Sequence, residues 1–120
     1  MLVVDDEPAV AANLQAFFED EDMEVHSVGS GEDALRVVRA GAGFHVCIMD
    51  LRLPGMDGCQ AIIELHEVSP TLRFVIHTGS TRYALSKELR AIGVTDSQLF
   101  VKPVLDMGLL AEQVRQLSSR

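Results

Sequence analysis

No lysine or arginine occurs in this 120-residue chain before Arg36, although Asp5, Asp6, Glu7, Glu19, Asp20, Glu21, Asp22, Glu24, Glu32 and Asp33 all precede it. With a net charge of −8, the chain lacks the basic surface that gripping DNA or RNA requires. Glu19 to Glu24 read as a solvated helix end and loop. No apolar run approaches the length of a membrane span, and no basic region opens the N-terminus, so neither a membrane association nor a signal peptide is expected. Cysteine is scarce. Cys47 and Cys59 lack metal-ligand spacing, which points to plain thiols, a reducing compartment and a cytoplasmic location. His26, His45, His66 and His77 include no pair at ligand spacing, which argues against a zinc site or a histidine phosphotransfer site. Repeats, low-complexity tracts and internal linkers are also missing.

What is present is an alternation. Apolar, strand-like runs at Leu2–Val4, 24–28, 44–49, 74–76 and 99–101 are each followed by a helical pattern. Pro8 suits the first turn of a helix carrying Val10, Leu14, Phe17 and Phe18 on one face. Ser30 is an N-cap with Asp33 three residues on, and Leu35 and Val38 face inward until Gly41 and Gly43 stop the second helix. Ile62 and Leu65 mark a third helix, bounded by Pro70. A fourth is expected over Arg82 to Ile92 with Leu85, Leu89 and Ile92 inward. The fifth covers about Leu105 to Leu117 and uses Leu109, Leu110, Val114 and Leu117. Five βα units with right-handed crossovers predict one doubly wound α/β domain over a parallel sheet, and 48% hydrophobic residues are enough for its core.

Parallel sheets place ligands at the carboxyl ends of their strands. Those ends carry Asp5 and Asp6, Asp50, Thr78 and Lys102. A carboxylate closing an apolar run, as Asp50 does, is costly unless it faces a site. Three acids, one hydroxyl and one lysine at one edge suit phosphoryl transfer. Like charges in a partly desolvated cleft repel unless a cation intervenes. Mg²⁺ is the natural choice, being hard, oxygen-preferring and able to keep water positions that phosphate oxygens can take. Competing roles are N-capping for Asp6 and Thr78 and a snorkelling surface position for Lys102.

The fragments VVDDEP, IMDLRLPGMDG, HTGS and FVKP, each at a predicted strand end and in this order, resemble the receiver domain of two-component response regulators. The likeness runs from Leu2 to about Leu117. It implies a flavodoxin-like (βα)5 fold with strand order 2-1-3-4-5 and a receiver domain over residues 1–117, with 118–120 beginning a linker or tail. It also implies Asp50 as phospho-acceptor, with Mg²⁺ (or Mn²⁺) held by Asp6, Asp50 and the backbone carbonyl of Arg52, and by Asp5 through a water. Lys102 and Thr78 would contact phosphoryl oxygens, Gly79 would leave the phosphate reachable, and Arg52 and Ser80 would flank the attacking water. The Lys102-Pro103 bond is expected to be cis. The implied partners are a histidine kinase or phosphotransfer protein and an output domain or downstream protein, with a homodimer open. The switch face would be helix four, strand five and helix five, including Leu99, Phe100 and Pro103.

One position departs from the family pattern. Leu99 stands where many members carry an aromatic residue, and alternation turns Phe100 toward the side of Lys102. The segment from Gly93 to Gln98 also looks slightly long. Two other functions compete with a phosphorylation switch that acts only on itself. A phosphohydrolase of the haloacid-dehalogenase type would need an acid two residues past the nucleophile, where Arg52 stands. An interaction module that works without phosphorylation would usually have lost an acid or the lysine.

Overall fold

The computed structural model describes residues 1–79, 85–102, 104 and 106–118. Five strands, β1 (Leu2–Val4), β2 (His26–Val28), β3 (Val46–Met49), β4 (Arg73–Thr78) and β5 (Leu99–Val101), form one sheet in the order β2-β1-β3-β4-β5. Every pairing is parallel. The central strands β1 and β3 are buried along their whole length, as a sheet covered on both faces requires. This is the flavodoxin-like topology expected from the sequence.

The helices are α1 (Pro8–Asp20), α2 (Gly31–Arg39), α3 (Gly58–Val68), α4 (Lys87–Ala91) and α5 (Met107–Ser118). Side-chain caps fix three of the starts. Ser30 Oγ accepts from Asp33 N at 3.1 Å, Asp57 Oδ1 from Gln60 N at 2.9 Å, and Ser86 Oγ from Leu89 N at 3.2 Å. Each cap satisfies an amide that the first turn leaves without a partner. One face of the sheet packs Leu2, Val4, Cys47, Met49, Phe74 and Ile76 under α2, α3 and α4. The other packs Val3, Val46, Ile48 and Val75 under Leu14 and Phe18 of α1 and Leu110, Val114 and Leu117 of α5.

Three local expectations are corrected. The second strand begins at His26 rather than Glu24. The fourth helix begins at Lys87, because Ser86 caps it; Leu85 lies before the cap and is buried there, so its four-residue spacing to Leu89 only mimics a helical stripe. The part of the expected helix from Arg82 to Ala84 lies outside the described residues. In α5 the inward stripe is Leu110, Ala111, Val114 and Leu117, while Leu109 is 57% exposed on the flank. The helix is described from Met107, and Leu105 lies outside the described residues.

The connection from α4 to β5 contains a 3-10 turn at Asp96–Gln98. Gln98 is buried there; its amide nitrogen donates to the Phe74 carbonyl at 2.7 Å and its side-chain oxygen accepts from Thr95 N at 2.8 Å. The segment before β5 is thus a plug anchored to β4.

Candidate functional site

β1 and β3 are neighbours, so Asp5 and Asp50, the residues that follow them, come together at the carboxyl edge. Asp5 N donates to the Val28 carbonyl at 3.1 Å and Asp50 N to the Val4 carbonyl at 2.9 Å, which prolongs the ladder past each strand end. Both side chains are buried. Each carboxylate uses one oxygen on its own loop: Asp5 Oδ1 accepts from Glu7 N at 2.9 Å, and Asp50 Oδ1 from Arg52 N at 3.1 Å. The other oxygens converge on Lys102, whose Nζ donates to Asp5 Oδ2 at 2.9 Å and to Asp50 Oδ2 at 3.1 Å.

Asp6 is exposed, and one carboxylate oxygen from each of Asp5, Asp6 and Asp50 lies within 4.8 Å of the others. Among the described residues no histidine or cysteine joins this group. One ammonium among three carboxylates leaves an excess of negative charge in a partly buried cleft. The donor set is all oxygen, which fits a hard divalent cation.

Burial alone would lower the pKa of Lys102. Its hydrogen bonds to Asp5 and Asp50 outweigh that and hold it above the ordinary lysine range. Glu7 adds a longer, exposed contact at 3.8 Å. The lysine is aimed from β5, where Lys102 N donates to the Thr78 carbonyl at 2.7 Å. Thr78 ends β4, almost wholly buried. The residues predicted from strand ends, Asp5, Asp6, Asp50, Thr78 and Lys102, therefore share one edge. Arg52 is exposed two residues after Asp50. Leu99 packs on the α2–α4 side of the sheet and Phe100 on the α1/α5 side, as alternation requires. Ser80 and Pro103, and with Pro103 the expected cis bond, lie outside the described residues.

Two contributors escaped the sequence reading. Gly58, the first residue of α3, sends its N–H to the Leu51 carbonyl at 3.0 Å. A Cβ there would lie 2.3 Å from the Asp50 carbonyl oxygen and 2.6 Å from Leu51 Cα. Only glycine lets the helix start press against the loop that carries the acid. The sequence signal was a glycine directly after a capping aspartate. The second is Glu7, whose amide orients Asp5.

His77 is buried on β4, and its Nδ1 has no hydrogen-bond partner. Burial lowers its pKa, Lys102 lowers it further, and Asp5 and Asp50 oppose both. The ring is therefore neutral near neutral pH. Burial pushes the Cys47 thiol far up, so it is inert.

A doubly wound sheet with clustered acids and a strand-five lysine at its carboxyl edge defines a class of phosphoryl-handling signalling domains. Residues 1–115 match the response regulator receiver domain, and the chain belongs to that family. Among curated relatives, the transcriptional regulatory protein YesN of Bacillus subtilis is 29% identical over 98 residues, covering 78% of this chain and 26% of that protein. The regulatory protein AtoC of Escherichia coli is 27% identical, covering 99% and 26%. The chain thus spans about a quarter of the length of these relatives.

A solved structure of the Thermotoga maritima response regulator TrrA in complex with Mg²⁺-BeF superposes with a TM-score of 0.82 at 26% identity, covering 97% of this chain and 96% of that one. The N-terminal domain of a response regulator/sensory box/GGDEF protein from Carboxydothermus hydrogenoformans gives 0.84 at 25%, covering 98% and 92%. As a receiver domain, the chain is a signalling domain of two-component systems rather than a metabolic enzyme.

Proposed function

We propose that this domain accepts a phosphoryl group on Asp50 from a histidine kinase or a phosphotransfer protein. The carrying observation is the bridge from Lys102 Nζ to Asp5 and Asp50, which ties a cation from β5 to the acids of β1 and β3. An Asp50 carboxylate oxygen attacks the phosphorus in line. The new P–O bond forms as the P–N bond to the donor imidazole breaks, and the freed imidazole takes up a proton. Lys102 then turns from the carboxylates to a phosphoryl oxygen, and the Thr78 hydroxyl donates to another. Asp5, Asp6, Asp50 and the Arg52 carbonyl are the residues to hold Mg²⁺ or Mn²⁺, which when bound screens the charge of the equatorial oxygens. Hydrolysis of the acyl phosphate resets the domain, with Arg52 and Ser80 flanking the water.

The output surface in this reading is the face of α4, β5 and α5, including Leu99 and Phe100; Pro103, also expected to take part, lies outside the described residues. Leu99 cannot act as an aromatic toggle, so backbone movement around Thr78 and Lys102 carries the signal. Residues 1–117 form the receiver unit. Its relatives YesN and AtoC, named as regulatory proteins, support an attached or downstream output partner. The domain itself binds neither nucleic acid nor membrane and works in the cytoplasm; no helix among the described residues is long and apolar enough to cross a membrane.

Intact mass after incubation with acetyl phosphate and Mg²⁺ tests the proposal. The expected result is a gain of one phosphoryl group in wild type, and none in Asp50→Asn or without the metal. A folded wild type that gains nothing from acetyl phosphate or from a kinase donor would replace this reading with a phosphate-independent interaction module.

A further inference from the structure

β5 is three residues long, lies at the edge of the sheet and buries none of its side chains completely. Register is strongly specified where a strand buries one face, so packing alone holds β5 weakly. Yet Lys102, the next residue, must bring its ammonium to two buried carboxylates beyond the ends of β1 and β3. A slip of two residues would keep the facing of every side chain and carry Lys102 roughly 7 Å along the sheet, away from both acids.

The ladder itself shows what prevents the slip. In a parallel pair the carbonyls of alternate residues face the same neighbour, so Phe74, Ile76 and Thr78 of β4 turn theirs toward β5. Lys102 N fills the last of these at 2.7 Å. The first falls to Gln98, at the same offset of 24 positions. The Gln98 N–H is already committed, because the 3-10 turn gives it to the Thr95 carbonyl at 3.0 Å. The side chain takes its place: Nε2 donates to the Phe74 carbonyl at 2.7 Å. Oε1 accepts from Thr95 N at 2.8 Å and from Thr95 Oγ1 at 2.9 Å, which fixes the amide from its other end. Phe74 and Gln98 are both buried, so loss of this donor leaves a carbonyl without a partner away from water.

We infer that Gln98 is the positioning residue for Lys102: its side chain locks the register of β5, so that the ammonium arrives level with Asp5 and Asp50. Its part in phosphoryl transfer rests on the reading of Asp50 as acceptor; the register lock does not. Lys102 and the exposed Lys87 are the two lysines of the chain, so each serves as reference for the other. The test is trace acetylation of the whole folded chain with acetic anhydride, in chelator and without a phosphoryl donor. The ratio of Lys102 to Lys87 acetylation is read by mass spectrometry. Gln98→Met keeps the side chain's length without its amide, and should raise the ratio at least roughly fivefold. Thr95→Ala, at an exposed position, should raise it less. Val38→Ala, a buried change on α2, should lower the urea midpoint and leave the ratio unchanged, which separates positioning from general loosening. An unchanged ratio in folded Gln98→Met, or an equal rise in Val38→Ala, would overturn the lock. If Gln98→Met does not fold, Thr95→Ala decides, and no rise there overturns it. Acetyl phosphate uptake with Mg²⁺ forms a second arm. A raised ratio with slowed uptake supports both claims, whereas a raised ratio with uptake as fast as wild type removes the role in transfer. A raised ratio in a protein whose wild type takes up no phosphate keeps the lock and removes the acceptor reading.

Discussion

At Lys102 a single ammonium, 16% exposed, faces the buried carboxylates of Asp5 and Asp50. Removing it leaves two acids with no compensating charge. Lys102→Met should lower metal-free stability by about 1–3 kcal/mol, read from urea unfolding, and added Mg²⁺ should recover part of the loss. His77 gives a pH dependence of opposite origin. In the unfolded chain it titrates near its ordinary value of 6.5, whereas burial and Lys102 lower that value in the fold. Between the two values the unfolded chain binds the extra proton, so this contribution is complete above about pH 6.5 and is lost as pH falls through the folded value. Urea midpoints of wild type should therefore decline relative to His77→Leu below that pH, and a constant difference would contradict this account. Asp5, Asp50, Thr78 and Lys102 were legible in the sequence because each closes or follows a strand. The bare Nδ1 of His77 was not, since it depends on what β4 faces across the sheet.

Among the elements, α3 is the one whose position the site depends on. It enters through Asp57 as cap and Gly58 as the point of contact with the Asp50 loop. Gly58→Ala forces that loop or the helix to move. It should cost about 1–3 kcal/mol and slow acetyl phosphate uptake at fixed Mg²⁺, whereas a Gly29→Ala control, with nothing within 4 Å of its added Cβ, should leave uptake unchanged. Apolar spacing marked α1, α2, α3 and α5, while for α4 only Leu89 of the expected stripe lies in the helix, and limits were not readable. Ser86 decides where α4 starts, and Leu85 belongs to the core before the helix begins. Leu109 shows the same gap in α5: one leucine in a rich stripe lies outward, and composition does not say which.

For the molecule as a whole, two apolar layers on opposite faces of one sheet make the chain a single cooperative unit. Phe18 is fully buried in the layer under α1 and α5. Phe18→Ala should cost about 3–5 kcal/mol. Spectroscopic probes on both faces should shift together, since the sheet is shared. The five βα units were evident from residue patterning. The strand order came from family likeness, because alternation alone does not say which edge each strand joins.

The ion pair between Lys102 and Asp5 spans 97 positions of sequence. On the ribosome, Asp5 and Asp50 emerge well before the lysine that bridges them. A nascent chain halted before β5 carries the acids without their cation, and its β4 edge is unpaired. The acidic cleft is therefore completed late, with the fifth strand, and a polypeptide halted before it lacks the Lys102 bridge to Asp5 and Asp50.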